Sequence, residues 1–189
     1  MFDLAYPLED TIEIDGNTYT LDLSFDNVLR LVYMLNDPQL HDIEQIEIGL
    51  QMLLGVRLEY AIEEKEEIFF KIFNEVIRRG EEKQIETDIE GNPMPQNNKE
   101  KAKYSIKEDA EYIYASFMQA YNIDLFQSQG KLHWYKFQAL LDGLPGDTKF
   151  KEVIEIRTME LPKGKGSDKH RKDIEKLKDY YKLKGTEPI

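Results

Sequence analysis

The chain has 189 residues, of which 41% are hydrophobic and 11% aromatic; this is too much apolar material for a disordered chain and predicts one folded domain or two small ones. It has no cysteine, which excludes disulfides, thiolate metal sites and cysteine nucleophiles. No apolar run of about 18 residues predicts a membrane span, and the acidic start is unlike a secretion signal, so we expect the protein to stay in the compartment where it is made.

The formal net charge of −12 is unevenly distributed along the chain. Residues 1–98 hold 22 acidic and 7 basic residues, a balance of −15, whereas residues 99–189 hold 15 acidic and 18 basic residues, a balance of +3. The acidic first half repels nucleic acid and anionic lipid, so we expect neither nucleic acid nor a membrane as a partner. The ordinary interpretation is a solvated acidic surface, and the difference between the halves indicates two regions with different surroundings.

The first predicted elements are a β-hairpin and a helix. Apolar and polar residues alternate over residues 11–23 on both sides of Asp15-Gly16 or Gly16-Asn17, and these dipeptides favour the positive φ of a tight turn. Ser24 then stands as the N-cap of a helix with three-and-four apolar spacing, which ends at residues 36–38.

Two more helices are predicted in an acidic first lobe over residues 1–80. One covers residues 39–54 and ends at Gly55, and the next runs from Glu59 to Arg79 and is closed by Gly80. The residues expected to face inward are Ile43, Ile46, Leu50, Leu53 and Leu54 in the former and Ile62, Phe69, Ile72, Phe73, Val76 and Ile77 in the latter.

Residues 81–103 show neither the helical nor the strand spacing of hydrophobic residues. They are rich in charge and contain two prolines and two adjacent asparagines, which predicts a flexible linker or a mobile loop. A loop of that length is uncommon inside a compact domain, so it either has a role of its own or separates the first lobe from a second, helical lobe over residues 104–189. The expected fold is therefore mainly α, with an N-terminal β-hairpin.

The second lobe is predicted to begin with a capping box at Ser105 and Glu108, in which each side chain satisfies a backbone donor. The following helix is expected to place Ile106, Ala110, Ile113, Phe117 and Ala120 on one face, which Tyr112, Tyr114 and Tyr121 make broad and aromatic. Later helices are expected around Trp134 and Phe137, after a cap at Asp147 or Thr148, and after a basic connector over residues 163–167. Ser167 would cap the last of these helices, which is basic and carries a narrow apolar stripe.

The residues suited to catalysis are scattered. Asp37, His41 and Glu44 would share one helix face in the manner of a metal site, but no second histidine is positioned to complete a carboxylate-bridged centre. A helix-start histidine beside surface acids is far commoner. The acidic run over residues 63–67 lacks a calcium-loop pattern, and Gly164-Lys-Gly-Ser167 lacks phosphate-loop spacing. We therefore expect an interaction protein without metal or cofactor, and a carboxylate metal enzyme is the most distant alternative.

The aromatic faces and the basic end supply the candidate partner-binding residues. Apolar helix faces beyond what short lobes need are typical of grooves that accept a partner helix. The candidates are Tyr112, Tyr114, Phe117, Trp134, Phe137, Lys169, Arg171 and Lys172.

Long stretches of the second half resemble the bacteriophage "gp fifteen" family of tail morphogenesis proteins. They are YSIKEDAEYIYASFMQAYNIDLF from residue 104, LHW-x-K-F-x-A-L-L-x-G-L-P from residue 132, I-x-I-R-T-x-x-L-P from residue 154, and the Lys-rich end with DYYKL. The segment DGNTYTLDLSFDNVLRL over residues 15–31 also looks like the start of this family, so the resemblance spans nearly the whole chain.

The resemblance implies a protein of long-tailed phages that acts as a tail assembly chaperone. Such a protein would coat the aggregation-prone tape measure protein in the host cytoplasm until tail tube subunits replace it, and would be absent from the mature virion. Tape measure protein is then the expected partner, tail tube protein is a second candidate, and self-association is expected. The alternative is a structural completion or connector protein that stays in the finished tail.

Overall fold

The chain is mainly helical and begins with a β-hairpin in the computed structural model, which describes residues 3–78, 102–162 and 168–185. The elements are β1 (Thr11–Ile14), β2 (Asn17–Thr20), α1 (Phe25–Leu35), α2 (Asp42–Leu54), α3 (Ile62–Ile72), a π-helix (Phe73–Ile77), α4 (Ala110–Tyr121), α5 (Trp134–Asp142), α6 (Lys149–Thr158) and α7 (Asp168–Tyr180). The predicted fold class is confirmed. Within the described ranges no helix is long and apolar enough to cross a membrane.

Several predicted features lie outside the described residues. They are the linker over residues 81–103, of which only the last two residues are described, the helix end at Arg79 and Gly80, and the connector over residues 163–167 with its cap at Ser167. These remain predictions from sequence.

The chain divides into two compact units. The first comprises Met1–Pro95 and Ser128–Gln138, and the second comprises Gln96–Gln127 and Ala139–Ile189. The division falls inside α5. Residues 128–138, which the sequence analysis assigned to the second lobe, therefore belong to the first unit.

Backbone hydrogen bonds explain why residues 128–138 belong there. The N–H of Phe25 donates to the carbonyl of Leu132 at 2.9 Å, and the N–H of Trp134 donates to the carbonyl of Leu23 at 2.7 Å. These two bonds pair the start of α5 with the start of α1, although more than a hundred residues separate them in sequence. The pairing is long-range, so no local sequence pattern indicates it.

The hairpin forms as predicted. Asp15 and Gly16 join the strands with φ values of 49° and 75°, and two successive positive φ values are typical of a type I′ turn. The strands are antiparallel, with Thr11 opposite Thr20 and Ile14 opposite Asn17. A two-residue turn fixes this register, so the buried side chain of Ile14 faces the core.

The first unit packs α1 against α2 and α2 against α3. Ser24 is the N-cap of α1 as predicted, although its hydroxyl donates to Oδ1 of Asp22 at 2.6 Å instead of capping a helix N–H. The prediction for Ile43 is wrong. Because α2 begins at Asp42, Ile43 lies in the first turn, where 58% of it is exposed, and the buried residues of this helix start at Ile46.

The third helix is shorter than predicted because it changes to a π-helix at Phe73. The carbonyls of Val76 and Ile77 at its end accept hydrogen bonds from the Tyr135 hydroxyl and, at 3.2 Å, from the indole N–H of Trp134. Side chains from α5 thus satisfy carbonyls that a helix end leaves without an intrahelical partner.

Gly49 of α2 lies in a close contact that leaves no room for a side chain. An ideal Cβ at this position would meet Cε2 of Phe69 at 2.6 Å and Cδ1 of Leu31 at 3.1 Å. We expect Gly49→Ala to destabilise the first unit by about 1–2 kcal/mol, because overpacking a buried aromatic ring outweighs the gain in helix propensity. Urea unfolding followed by the fluorescence of Trp134, the single tryptophan, measures this change.

Gln51→Ala is the control, since Gln51 is an exposed residue of the same helix. We expect its effect to stay within about 0.5 kcal/mol. Equal effects of the two substitutions would contradict the close packing of α2 on α3.

The second unit begins with a variant of the predicted capping box. The hydroxyl of Ser105 accepts from the N–H of Glu108 at 3.3 Å, as predicted, but Asp109 and not Glu108 returns the bond to the N–H of Ser105, at 3.0 Å. Glu108 instead accepts from the N–H of Lys184 at 2.7 Å. The helix α4 consequently starts at Ala110, later than predicted, and Ala110 is exposed instead of inward.

The core of the second unit lies where α6 packs on α4 and on α7. Ser116 of α4 is fully buried; its hydroxyl donates to the carbonyl of Tyr112 at 2.7 Å and accepts from the N–H of Phe150 at 3.0 Å. The second bond satisfies a backbone donor in the first turn of α6, which begins after Thr148, one of the two predicted caps.

Candidate partner-binding surfaces

An open groove lies between the hairpin and α3 in the first unit. Its volume is about 290 Å³. One wall consists of four consecutive residues at the end of β1 and the start of its turn, and the other consists of Tyr60 and one face of α3. The lining residues are Ile12, Glu13, Ile14, Asp15, Tyr60, Glu64, Glu67, Ile68 and Lys71.

The groove combines an apolar surface with an acidic rim. Three isoleucines supply apolar surface, while Glu13, Asp15, Glu64 and Glu67 supply four carboxylates against the single ammonium group of Lys71. Such a concentration of one charge sign raises the local concentration of oppositely charged groups. The groove is therefore suited to a partner that carries both apolar and cationic side chains.

Tyr60 and Asp15 both line the groove. The hydrogen bond from the Tyr60 hydroxyl to the Asp15 carboxylate is the main reason that the pKa of Tyr60 is raised, and burial contributes less. The two residues lie on opposite walls of the groove.

A second, smaller pocket of about 150 Å³ lies where α2, the segment after it and α3 meet. Lys65 is 8% exposed and its ammonium group lies 2.8 Å from the Glu47 carboxylate. The hydrogen bond from Lys65 is the main cause that lowers the pKa of Glu47. Because this pair neutralises itself, Arg57 is the one remaining charged residue in the lining of the second pocket, which lacks the concentration of carboxylates seen in the groove.

Three of the candidate aromatic residues are core residues. Phe117, Trp134 and Phe137 are 0%, 3% and 1% exposed. Their side chains are therefore buried in the chain. Of the predicted aromatic face on α4, Phe117 fills the interior, whereas Tyr112, Tyr114 and Tyr121 are only partly buried.

Tyr112 and Tyr114 are partly buried in the second unit. The ring of Tyr112 packs edge-on against Tyr181 with centroids 5.9 Å apart, and the ring of Tyr114 contacts Phe126 at 5.3 Å. Burial is the main cause that raises the pKa of Tyr112. Each ring therefore already has an aromatic neighbour, and part of each remains accessible.

The candidate basic residues lie on the exposed side of α7. Lys169, Arg171 and Lys172 are all exposed, and Arg171 is paired with Glu175 at 3.0 Å. The helix is held near its other end, where Lys149 donates to the Tyr181 hydroxyl at 2.9 Å. The structure thus places the basic candidates on an accessible surface, and their role in binding stays a prediction.

The candidate residues do not gather in one unit. Trp134 and Phe137 belong to the first unit, and the other six belong to the second. Sequence reasoning missed the groove of the first unit. One sequence signal could have indicated the groove. The three- and four-residue spacing places acidic and aromatic side chains on one helix face next to a two-stranded hairpin; the residues are Tyr60, Glu64, Glu67 and Lys71.

At the suggested metal site of Asp37, His41 and Glu44, the two carboxylates instead accept hydrogen bonds from nearby backbone N–H groups. Asp37 accepts from the N–H of Gln39 at 2.9 Å, and Glu44 accepts from the N–H of His41 at 3.0 Å at the start of α2. In the part of the chain that the structure describes, no group of three or more histidine, aspartate or glutamate side chains is arranged to hold a metal ion.

Comparison with known proteins connects this molecule to phages. A family model described as Bacteriophage Gp15 protein matches residues 4–183, and so covers most of the chain. Comparisons with curated proteins and with solved structures find no match. Because the family match covers most of the chain, the chain belongs to the Bacteriophage Gp15 protein family.

Proposed function

We propose that this phage protein is a tail assembly chaperone that binds tape measure protein helices and keeps them soluble until the tail tube polymerises. The observation that carries the proposal is the family match over residues 4–183, which makes the chain a phage protein. The resemblance of residues 104–183 to tail morphogenesis proteins supports the more specific role. Tail tube protein is a second candidate partner, and the chaperone would act in the host cytoplasm and leave before the virion is complete.

The distribution of exposed apolar side chains is compatible with this role. Ile43 and Phe70 are 58% and 47% exposed in the first unit, and Phe126 and Tyr180 are 71% and 77% exposed in the second. Apolar contacts of this kind are individually weak, so later subunits can displace them. The net charge of −12 would keep a complex with an aggregation-prone chain in solution.

Co-expression with tape measure protein tests the proposal. We expect the soluble fraction of tape measure protein to rise severalfold when this chain is present, because apolar helix faces would be covered. Fractionation of the lysate followed by quantitative immunoblotting measures that fraction. An unrelated acidic protein of similar charge is the control for general solubilisation. A tape measure protein that is equally soluble with this chain, with the control protein and alone would contradict the proposal.

The same family membership also fits a structural part of the finished tail. Mass spectrometry of purified virions separates the two functions, because a chaperone would be missing from the particle and a completion or connector protein would be present in fixed copy number.

A further inference from the structure

The strand β1 lines the groove, and its edge away from β2 pairs with no other strand among the described residues. The N–H of Leu21 donates to the carbonyl of Asp10 at 2.7 Å, so these two residues form a hydrogen-bonded pair at the open end of the hairpin. Hydrogen-bonded and non-hydrogen-bonded pairs alternate along an antiparallel ladder, so Ile12 and Ile14 also direct their backbone groups towards β2.

It follows that Thr11 and Glu13 direct their N–H and carbonyl groups away from β2. Within the described residues, the backbone groups of Thr11 and Glu13 have no hydrogen-bond partner, and β1 and β2 form a sheet of two strands. Alternate side chains of a strand point to opposite faces, so a cavity lined by the four consecutive residues 12–15 runs along the strand edge. The unpaired N–H and carbonyl groups of Glu13 therefore border the groove.

The opposite wall is a helix with acidic residues at the spacing of one face. Glu64 and Glu67 are three residues apart, and Ile68 and Lys71 continue the same side of α3. A strand edge facing a helix across an open groove is the arrangement that accepts a peptide by strand addition, in which backbone hydrogen bonds supply affinity and the flanking side chains supply specificity.

We propose that this groove binds an extended segment of a partner protein, which pairs with the free edge of β1 and presents lysine or arginine side chains to the carboxylates. Charge complementarity identifies the occupant, since Glu13, Asp15, Glu64 and Glu67 outnumber Lys71. A bound helix would leave the edge groups of β1 unpaired. Pairing of β1 with β1 of a second copy would bring two acidic rims together, which repel each other.

The proposal does not rest on the chaperone function, because it concerns the conformation and charge of the bound segment and not its source. The probe is a fluorescently labelled peptide of four Lys-Val repeats with blocked ends, titrated with the full chain and followed by fluorescence anisotropy. We expect saturable binding that weakens as salt rises, and no binding of the corresponding Glu-Val peptide.

The backbone contribution is tested with proline substitutions on the two edges of the hairpin. Glu13→Pro removes an N–H from the groove edge, and Thr18→Pro, at the residue opposite Glu13, removes one from the far edge of β2. Glu13→Gln removes the same carboxylate but keeps the N–H. We expect Glu13→Pro to bind about tenfold more weakly than Glu13→Gln, and Thr18→Pro to leave binding unchanged. Because proline could disturb the hairpin, a probe with alternate backbone amides methylated is titrated into the unsubstituted chain, and we expect it to bind at least about tenfold more weakly.

The charge contribution is tested on α3 itself. We expect Glu64→Gln with Glu67→Gln to weaken binding about tenfold and to flatten its salt dependence. The matched control is Glu63→Gln with Glu66→Gln, which removes the same charge from residues of the same helix that do not line the groove.

Three results would overturn the proposal. One is equal binding of the methylated and unmethylated probes, because strand addition requires the peptide backbone. Another is an equal loss from the two glutamine pairs, since that would reflect only the net charge. The third is self-association of a chain that binds no probe, if Glu13→Pro abolishes the dimer, because the β1 edge would then be a self-association surface.

Discussion

Asp109→Asn is expected to lower the free energy of unfolding of the second unit by about 3 kcal/mol, because it leaves a largely buried arginine without its counter-charge. Asp109 is 1% exposed, and its two carboxylate oxygens each accept a hydrogen bond of 2.7 Å from the guanidinium group of Arg157. The same carboxylate accepts from the N–H of Ser105. An amide in its place keeps the shape but loses the charge and turns one acceptor into a donor.

The pair matters beyond its own two side chains. Arg157 also donates through Nε to the carbonyl of Tyr181 at 2.6 Å and through Nη1 to the carbonyl of Lys103 at 3.3 Å. The guanidinium group thus joins the residues that precede α4, the end of α6 and the residue after α7. Loss of the carboxylate that orients it is expected to weaken all three connections together.

Urea unfolding followed by far-ultraviolet circular dichroism measures this effect, and urea is preferred because guanidinium chloride would screen the ion pair. Glu175→Gln is the matched control, since it removes the carboxylate from Arg171 in an exposed pair of the same unit. We expect the control to change the stability by less than about 0.5 kcal/mol. If Asp109→Asn has no larger effect than this control, the buried pair does not hold the second unit together.

The features that local chemistry determines could be predicted from the sequence. The Asp15-Gly16 turn has its own φ preference, and Ser24 and Gly55 mark helix ends through their individual conformations. The apolar spacing of Leu31, Ile46 or Ile113 indicates a helix without reference to any other part of the chain. Secondary structure and fold class follow from such signals, because each depends on residues a few positions apart.

The features that depend on distant contacts could not be predicted. Sequence order places residues 128–138 in the second lobe, whereas contacts with distant residues, among them the bonds to Leu23 and Phe25, place them in the first unit. The π-helix that starts at Phe73 ends at carbonyls that accept hydrogen bonds from Trp134 and Tyr135, which lie far away in the sequence. The groove depends on the distance between β1 and α3, which no periodicity encodes.

The candidate partner-binding residues were likewise only partly predictable from the sequence. Sequence patterns distinguish apolar from polar faces, but they do not say whether an aromatic face turns inward or outward. Phe117, Trp134 and Phe137 turn inward, whereas Lys169 and Lys172, whose charges make burial costly, are exposed as charge alone would predict. A stability experiment therefore decides the role of the aromatic candidates better than a binding experiment.

Phe137→Ala is expected to lower the free energy of unfolding of the first unit by about 3–5 kcal/mol, the usual result of removing a buried aromatic ring. Phe137 is 1% exposed, and its ring stacks between Phe25, at 4.9 Å, and Trp134, at 5.7 Å. Alanine would leave a cavity between two rings that belong to different helices. The fluorescence of Trp134 during urea unfolding measures the loss, because this tryptophan lies next to the substituted side chain.

Phe70→Ala is the matched control, because Phe70 is a phenylalanine of the same unit that is 47% exposed. We expect it to cost less than about 1 kcal/mol, since its ring already contacts water. A residue that serves only to bind a partner would give the opposite pattern, with stability retained and binding lost in Phe137→Ala. Such a result would mean that residues 128–138 contribute little to the first unit, and that the ring of Phe137 is available to a partner after all.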